Sequence, residues 1–290
     1  MATTSRVQRA FDWLLKCKGS TRAVAVMRIF LIANVWARWG DEHVLFRDLN
    51  PEPLIVGTLF FLSTTAAFFG IFTRWSMGVV ALVVKYFVYV VGHTYGHEPY
   101  THHHTMLLAN ACLLLALSPC GRSLSVDRFL ELRRAEKAGR SPRPERANLW
   151  AQRLLALQVV SIYFWGALDK TNPAFLSGAR MAHYVMYYYT GPVDLDQLVP
   201  GSAVVMQVLA IITVCLEYAL AGGLLIPGYR KWLVVPGLVL HGIFYLTLSV
   251  FTYTTTMWTL YLAVMDPDEF DRVLKRLLGL SPAVAVEQPV

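Results

Sequence analysis

The protein has 290 residues, 56% of them hydrophobic, and a formal net charge of +7. It is too apolar for an ordinary soluble domain. Its basic residues fall between long apolar runs instead of forming one stripe, so no nucleic-acid partner is expected.

A bilayer crossing needs roughly 20 mostly apolar residues. About eight segments qualify: 23–39, 54–73, 76–92, 104–119, 149–168, 202–226, 233–250 and 253–266. Lipid cannot satisfy free backbone groups, so these runs predict helices and argue against a barrel. The expected fold is an all-α, polytopic membrane bundle of about eight transmembrane helices. Residues 1–22 hold Arg6, Arg9, Lys16, Lys18 and Arg22, and every second connection after them is basic. That alternation places both termini in the cytoplasm. Residues 1–22 are then a cytoplasmic amphipathic segment, 23–266 the membrane domain and 267–290 a cytoplasmic tail. Residues 120–148 form a cytoplasmic excursion and 169–201 an outer loop. No cleavable leader is expected, and residues 1–20 read as a short cytoplasmic helix able to touch the inner leaflet.

Along the chain, Arg28 sits one turn into the first segment, where it either snorkels to headgroups or faces the bundle interior. Lys85, Tyr89 and His93 follow at i, i+4 and i+8 in the third, with His97 in line if the helix continues. Lys85 at membrane depth implies a polar interior role or a partner for Glu217 in the sixth segment. Gly96 and Pro99 make a turn, and His102, His103 and His104 open the fourth segment. Ser125-Val126-Asp127 reads as a helix start. The fifth segment closes on Tyr163-Phe164-Trp165-Gly166, Asp169 and Lys170, with Gly166 allowing close helix approach. Beyond it, Tyr184 and Tyr187–Tyr189 suggest a flat interfacial helix or a lid over an outward site. Glu217 and His241 are ionisable groups within apolar runs and therefore functional candidates. Cys17, Cys112, Cys120 and Cys215 show no paired spacing and read as packing residues.

Two chemistries are compatible with these residues. His93 and His97 have the i, i+4 spacing of a metal-binding helix, and His102 and His103 add imidazole nitrogens suited to a transition metal. Alternatively, Lys170 is a base: apolar walls disfavour an ammonium, and a nearby histidine can stabilise an oxyanion. The plainer reading of Lys170 is a snorkelling anchor at the helix end.

The stretch Tyr163-Phe164-x-Gly166-Ala167-x-x-Lys170-x-Asn172, with Gly178 following, resembles a segment of the vitamin K-dependent gamma-carboxylase membrane domain. Bacterial relatives share that domain and are called HTTM (horizontally transferred transmembrane) proteins. His104 followed, after an apolar run, by Ser125-Val126-Asp127 is a second point of similarity, and the likeness spans roughly residues 20–265. It departs at Asp169, where the family has a second lysine, and at Phe175, where it has tryptophan. The resemblance implies Lys170 as the base that deprotonates a quinol-like lipid and His104 as a polar helper. The quinol then reacts with oxygen, and a small-molecule or peptide substrate is acted upon in turn. Lys85, Tyr163, Glu217 and His241 are expected around the substrate or in the polar interior. The implied location is a bacterial inner membrane, with the His-rich turn extracytoplasmic. The competing expectations are a histidine-ligated oxidase or hydroxylase and a non-enzymatic transporter or maturation or immunity partner.

Overall fold

The computed structural model describes residues 5–45, 51–186, 195–198, 200–248 and 250–279. Tyr187–Tyr189 and the end of the tail lie outside the described residues.

The chain starts with α1 (Arg6–Leu15), β1 (Lys18–Ser20), α2 (Arg22–Leu45) and α3 (Pro51–Phe69). Then come α4 (Thr73–Tyr86), which runs on as a π-helical turn (Phe87–Thr94), α5 (His103–Ala116), α6 (Val126–Lys137) and β2 (Arg146–Asn148). The second half holds α7 (Trp150–Lys170), α8 (Pro173–Leu176), α9 (Ala179–Val185) and α10 (Leu195–Leu198). It ends with α11 (Ser202–Gly223), α12 (Pro227–Leu248), α13 (Phe251–Val264) and α14 (Pro267–Leu277). The fold is all-α apart from one antiparallel ladder, β1 with β2, which sequence alone did not indicate.

Among the described residues, four stretches are long and apolar enough to cross a membrane: Arg22–Glu42, Glu52–Phe69, Thr73–Thr94 and Ser202–Gly223. Helices α5 and α13 have 14 residues each and reach only about 21 Å. Helices α7 and α12 are long enough but carry more polar side chains, including Gln152, Arg153 and Lys170 in one and Arg230, Lys231 and His241 in the other.

Helix α13 is the hub, packing on α2, α5, α7 and α12. It is rich in threonine, yet Thr252, Thr254, Thr256 and Thr259 are buried. The hydroxyls of Thr254, Thr256 and Thr259 return to backbone carbonyls or to neighbours: Thr256 Oγ1 donates to the Thr252 carbonyl at 2.6 Å and also meets Asn34 Nδ2 at 2.7 Å. The polar atoms are therefore matched inside the bundle, as an apolar medium demands.

Arg28 does not snorkel. It is 0% exposed, and its guanidinium donates to the Cys120 carbonyl at 2.8 Å and the Leu124 carbonyl at 2.5 Å. It thereby satisfies the chain where α5 gives way to α6. Ser125 does cap α6, accepting from the Arg128 N–H at 2.9 Å. Two residues on, the Asp127 carboxylate accepts from the Phe72 N–H (2.9 Å), the Thr73 N–H (2.8 Å) and Thr73 Oγ1 (2.7 Å). One acid thus caps the start of α4 from another segment, taking up N–H groups that have no partner within their own helix.

The expected polar row of Lys85, Tyr89, His93 and His97 forms in part: past Tyr86 the helix widens to a π-helical turn, within which the rings of Tyr89 and His93 meet with centroids 6.2 Å apart. His97 lies beyond the helix end, and both His93 and His97 are exposed. Cys112 and Cys120 are buried, Cys17 is half-buried and Cys215 is exposed.

Helix α14 is clipped to the rest by charge. Asp268 accepts from Arg146 at 2.6 and 2.8 Å and from the Ser20 N–H at 3.0 Å. The Arg146 hydrogen bond holds its carboxyl below the usual carboxylate range, against the opposing effect of burial.

Asp127→Ala removes three acceptors at once and is expected to destabilise the fold by about 1–3 kcal/mol, read as a lower melting temperature in detergent. The Asp268 clip has a depressed folded-state pKa, so its contribution is complete above the unfolded value of about 3.9 and is lost as pH falls through the folded value. Amide protection in α14, taken relative to intrinsic exchange at each pH, is therefore expected to fall below about pH 4 in the native protein and to be low already at neutral pH in Asp268→Ala.

Candidate functional site

The C-terminal half of α7 builds the site. Lys170 is the last residue of that helix, where a cation meets the negative end of the helix dipole. Its Nζ donates to both carboxylate oxygens of Glu217 on α11, at 3.0 Å each, and to the Gly166 carbonyl at 3.2 Å. Gly166 makes this contact possible: a Cβ there would lie 3.3 Å from Lys170 Nζ and 3.5 Å from Glu217 Oε2. The Glu217 side chain is 5% exposed and that of Lys170 is 25% exposed, so the pair runs from the bundle interior toward an opening.

The opening is a cavity of about 810 Å³. Lys170, Glu217, Thr213, Tyr253 and the imidazoles of His102, His103 and His104 give it its polar parts. The remaining wall is apolar, including Ile162, Leu209, Ile212, Leu216, Val239, Ile243 and Phe244. Met181 and Tyr184 on α9 also line it, so the helix following α7 forms part of its wall as well as part of the surface. The rings of His102 and His104 stack with centroids 5.1 Å apart. The fifth-segment amine and the histidine triplet therefore share one cavity, although they are separated by some sixty residues of chain.

Behind the cavity lies a buried chain of three rings. Tyr163 Oη on α7 is 2.6 Å from His241 Nε2 on α12 and 2.6 Å from Tyr261 Oη on α13. His241 is 0% exposed, and its Nδ1 has no hydrogen-bond partner among the described residues. The His241 ring stands edge-on to Tyr253, centroids 5.2 Å apart, and Tyr253 is the member that reaches the cavity. Sequence reasoning singled out Tyr163 and His241 but not Tyr261 or Tyr253, which sit among apolar and threonine residues. One local signal was present: Gly237, one turn before His241, has no side chain because the Tyr261 hydroxyl occupies that space.

Glu217 is paired with Lys170 and not with Lys85, which is half-buried and does not line the cavity. His241, expected in the polar interior or around the substrate, is buried and bonded to Tyr163. Among the described residues no three His, Cys, Asp or Glu side chains are grouped to hold a metal ion, so His93, His97, His102 and His103 do not assemble into a ligand set. His93 and His97 are exposed away from the cavity, while His102 and His103, also exposed, line it.

Four apolar stretches of bilayer length mark a polytopic membrane protein, and one of them, α11, lines a largely apolar cavity with the Lys170–Glu217 pair at its wall. The chain belongs to the HTTM family: residues 18–266 match the HTTM domain. No curated protein and no solved structure matches it.

Removing the central hydroxyl with Tyr163→Phe leaves His241 Nε2 and Tyr261 Oη without their shared partner. The expected loss is about 1–3 kcal/mol in unfolding experiments. Adding His241→Phe is expected to recover part of that loss, because the unpaired buried imidazole is then gone.

Proposed function

We propose that this protein is an integral membrane enzyme of the gamma-carboxylase-like type, in which Lys170 acts as the base on an acidic hydroxyl of a membrane-dissolved, quinol-like lipid. The observation that carries the reading is the Lys170–Glu217 pair at the wall of an otherwise apolar cavity.

A cavity with a small polar region and long aliphatic walls fits an amphiphile with one hydroxylated ring and a hydrocarbon tail. A quinol supplies reducing electrons for oxygen chemistry once its hydroxyl has lost a proton. The protein's part is to take and hold that proton. With a proton on a Glu217 oxygen, Lys170 Nζ is a free amine; it takes the hydroxyl proton and becomes an ammonium. The Gly166 carbonyl and the Glu217 side chain keep Nζ in place throughout. His104, on the wall of the same cavity, is positioned as a hydrogen-bond donor to the substrate oxygen as negative charge develops on it. Apolar walls exclude water, which strengthens each of these interactions. The histidine arrangement does not fit a metal centre, and no step is assigned to one.

In the same reading the eight apolar helices α2, α3, α4, α5, α7, α11, α12 and α13 cross the bilayer, the shorter ones enclosed by their neighbours. Both termini are then cytoplasmic and the His-rich turn faces outward across a bacterial inner membrane, as the alternation of basic connections supports.

The test is quinol-dependent oxygen consumption by purified protein in nanodiscs. Lys170→Ala alone strands a buried carboxylate, so Lys170→Ala/Glu217→Ala is compared with Glu217→Gln and His104→Ala. The expected result is loss of turnover in the double variant and a fall of about 10²–10³-fold in His104→Ala with the fold intact by thermal melting. Turnover that survives both changes rules out the base assignment.

A further inference from the structure

Two helices outside the apolar bundle are mounted against the usual rule for a soluble protein. In α14, the charged face is turned inward. Asp271 meets Arg22 at 2.5 Å and Lys275 at 2.9 Å, and Asp268 meets Arg146. The opposite face carries Phe270, Val273, Leu274 and Leu277. Of these, Val273 is 44% and Leu277 79% exposed, and the adjoining Leu278 is 57% exposed. A helix that packed in water would bury the aliphatic side and leave the charges out.

Helix α1 repeats the pattern. Val7, Phe11 and Leu15 follow one another at i, i+4 and i+8, and they are 65%, 56% and 47% exposed. Trp13 holds the helix to the bundle through the guanidinium of Arg153, 4.7 Å above its ring. The two helices lie at the same end of the molecule. Strand β1 leads from α1 into α2, its Ser20 N–H donates to Asp268 on α14, and Arg22 at the start of α2 reaches Asp271. Basic side chains are exposed around both helices: Arg9, Lys16 (paired with Asp12 at 2.8 Å) and Lys18 on or just after α1, and Arg272 and Arg276 on α14.

We propose that α1 and α14 are in-plane membrane anchors, their apolar stripes sunk among acyl chains and their basic residues on anionic phospholipid headgroups, at the end of the bundle where α2 and α7 begin. The argument for lipid as the occupant is continuity and charge. The stripes sit at the ends of bilayer-length helices, and aliphatic residues bordered by Lys and Arg are the composition of interfacial helices. Burying the stripes there also removes an unfavourable exposure of apolar surface to water. Anchored this way, α14 would hold the Arg22–Asp271 and Arg146–Asp268 pairs against the membrane surface.

The test is spin-label accessibility in the full chain. Cys17 and Cys215 are replaced by Ser, and the buried Cys112 and Cys120 are retained. A nitroxide is placed at Phe11→Cys or Leu277→Cys, with Ser141→Cys, in the exposed α6–β2 connection, as the aqueous reference. In phosphatidylglycerol vesicles both stripe labels should be severalfold less accessible to a water-soluble nickel relaxant than the reference, and more accessible to oxygen. In pure phosphatidylcholine the protection should weaken. Unlabelled protein provides a second measurement: Arg9→Gln/Lys18→Gln/Arg272→Gln/Arg276→Gln should retain fewer phosphatidylglycerol molecules in native mass spectrometry than the parent, at an unchanged melting temperature. Stripe labels as open to nickel as the reference in both vesicle types would overturn the proposal. So would protection that appears only at high protein-to-lipid ratio, which would assign the stripes to contact between copies.

Discussion

A carboxylate in the middle of an apolar helix requires a cation, and α11 finds one in Lys170 at the end of α7. Much of the local geometry follows from that requirement. Gly166 leaves room beside the pair, and α7 and α11 pack against each other. Lys170, closing its helix, turns back to its own Gly166 carbonyl and to the acid instead of extending to the surface. The pair then gives the apolar cavity a polar wall. Without Glu217, the amine would have reason to extend toward headgroups, and the cavity would lose its strongest polar feature.

The same rule, that polar atoms within an apolar bundle must be matched from inside, accounts for the other deep contacts. Arg28 takes up carbonyls between α5 and α6, Asp127 takes up the first N–H groups of α4, and Tyr163 joins His241 to Tyr261. Each joins residues far apart in the chain, so these contacts tie the bundle together as well as satisfying individual atoms. His241 Nδ1, a buried ring nitrogen without a partner among the described residues, belongs to the ring that stands edge-on to Tyr253 at the cavity wall.

The histidines show where local pattern and tertiary placement part company. Five of the eight fall between His93 and His104, and spacing alone groups them as one cluster. The π-helical turn and the bend at Gly96 divide them. His93 and His97 are exposed away from the cavity, whereas His102, His103 and His104 line it as α5 begins. A periodicity argument assumes a constant number of residues per turn and does not register a π-helical turn.

By itself, the sequence determined the helical membrane class, the order of the main apolar helices, the Ser125 cap and the family. Those depend on composition and local pattern, which are carried by neighbouring residues. It also identified Lys170, His104, Glu217, Tyr163 and His241 as polar groups that an apolar environment must accommodate. Only the tertiary structure decided their partners. Glu217 goes to Lys170 and not Lys85, His241 goes to Tyr163 with Tyr261, and Arg28 goes to the chain between α5 and α6. The physical reason is that a buried polar group states a need for a partner, while the identity of that partner is set by which helix faces meet.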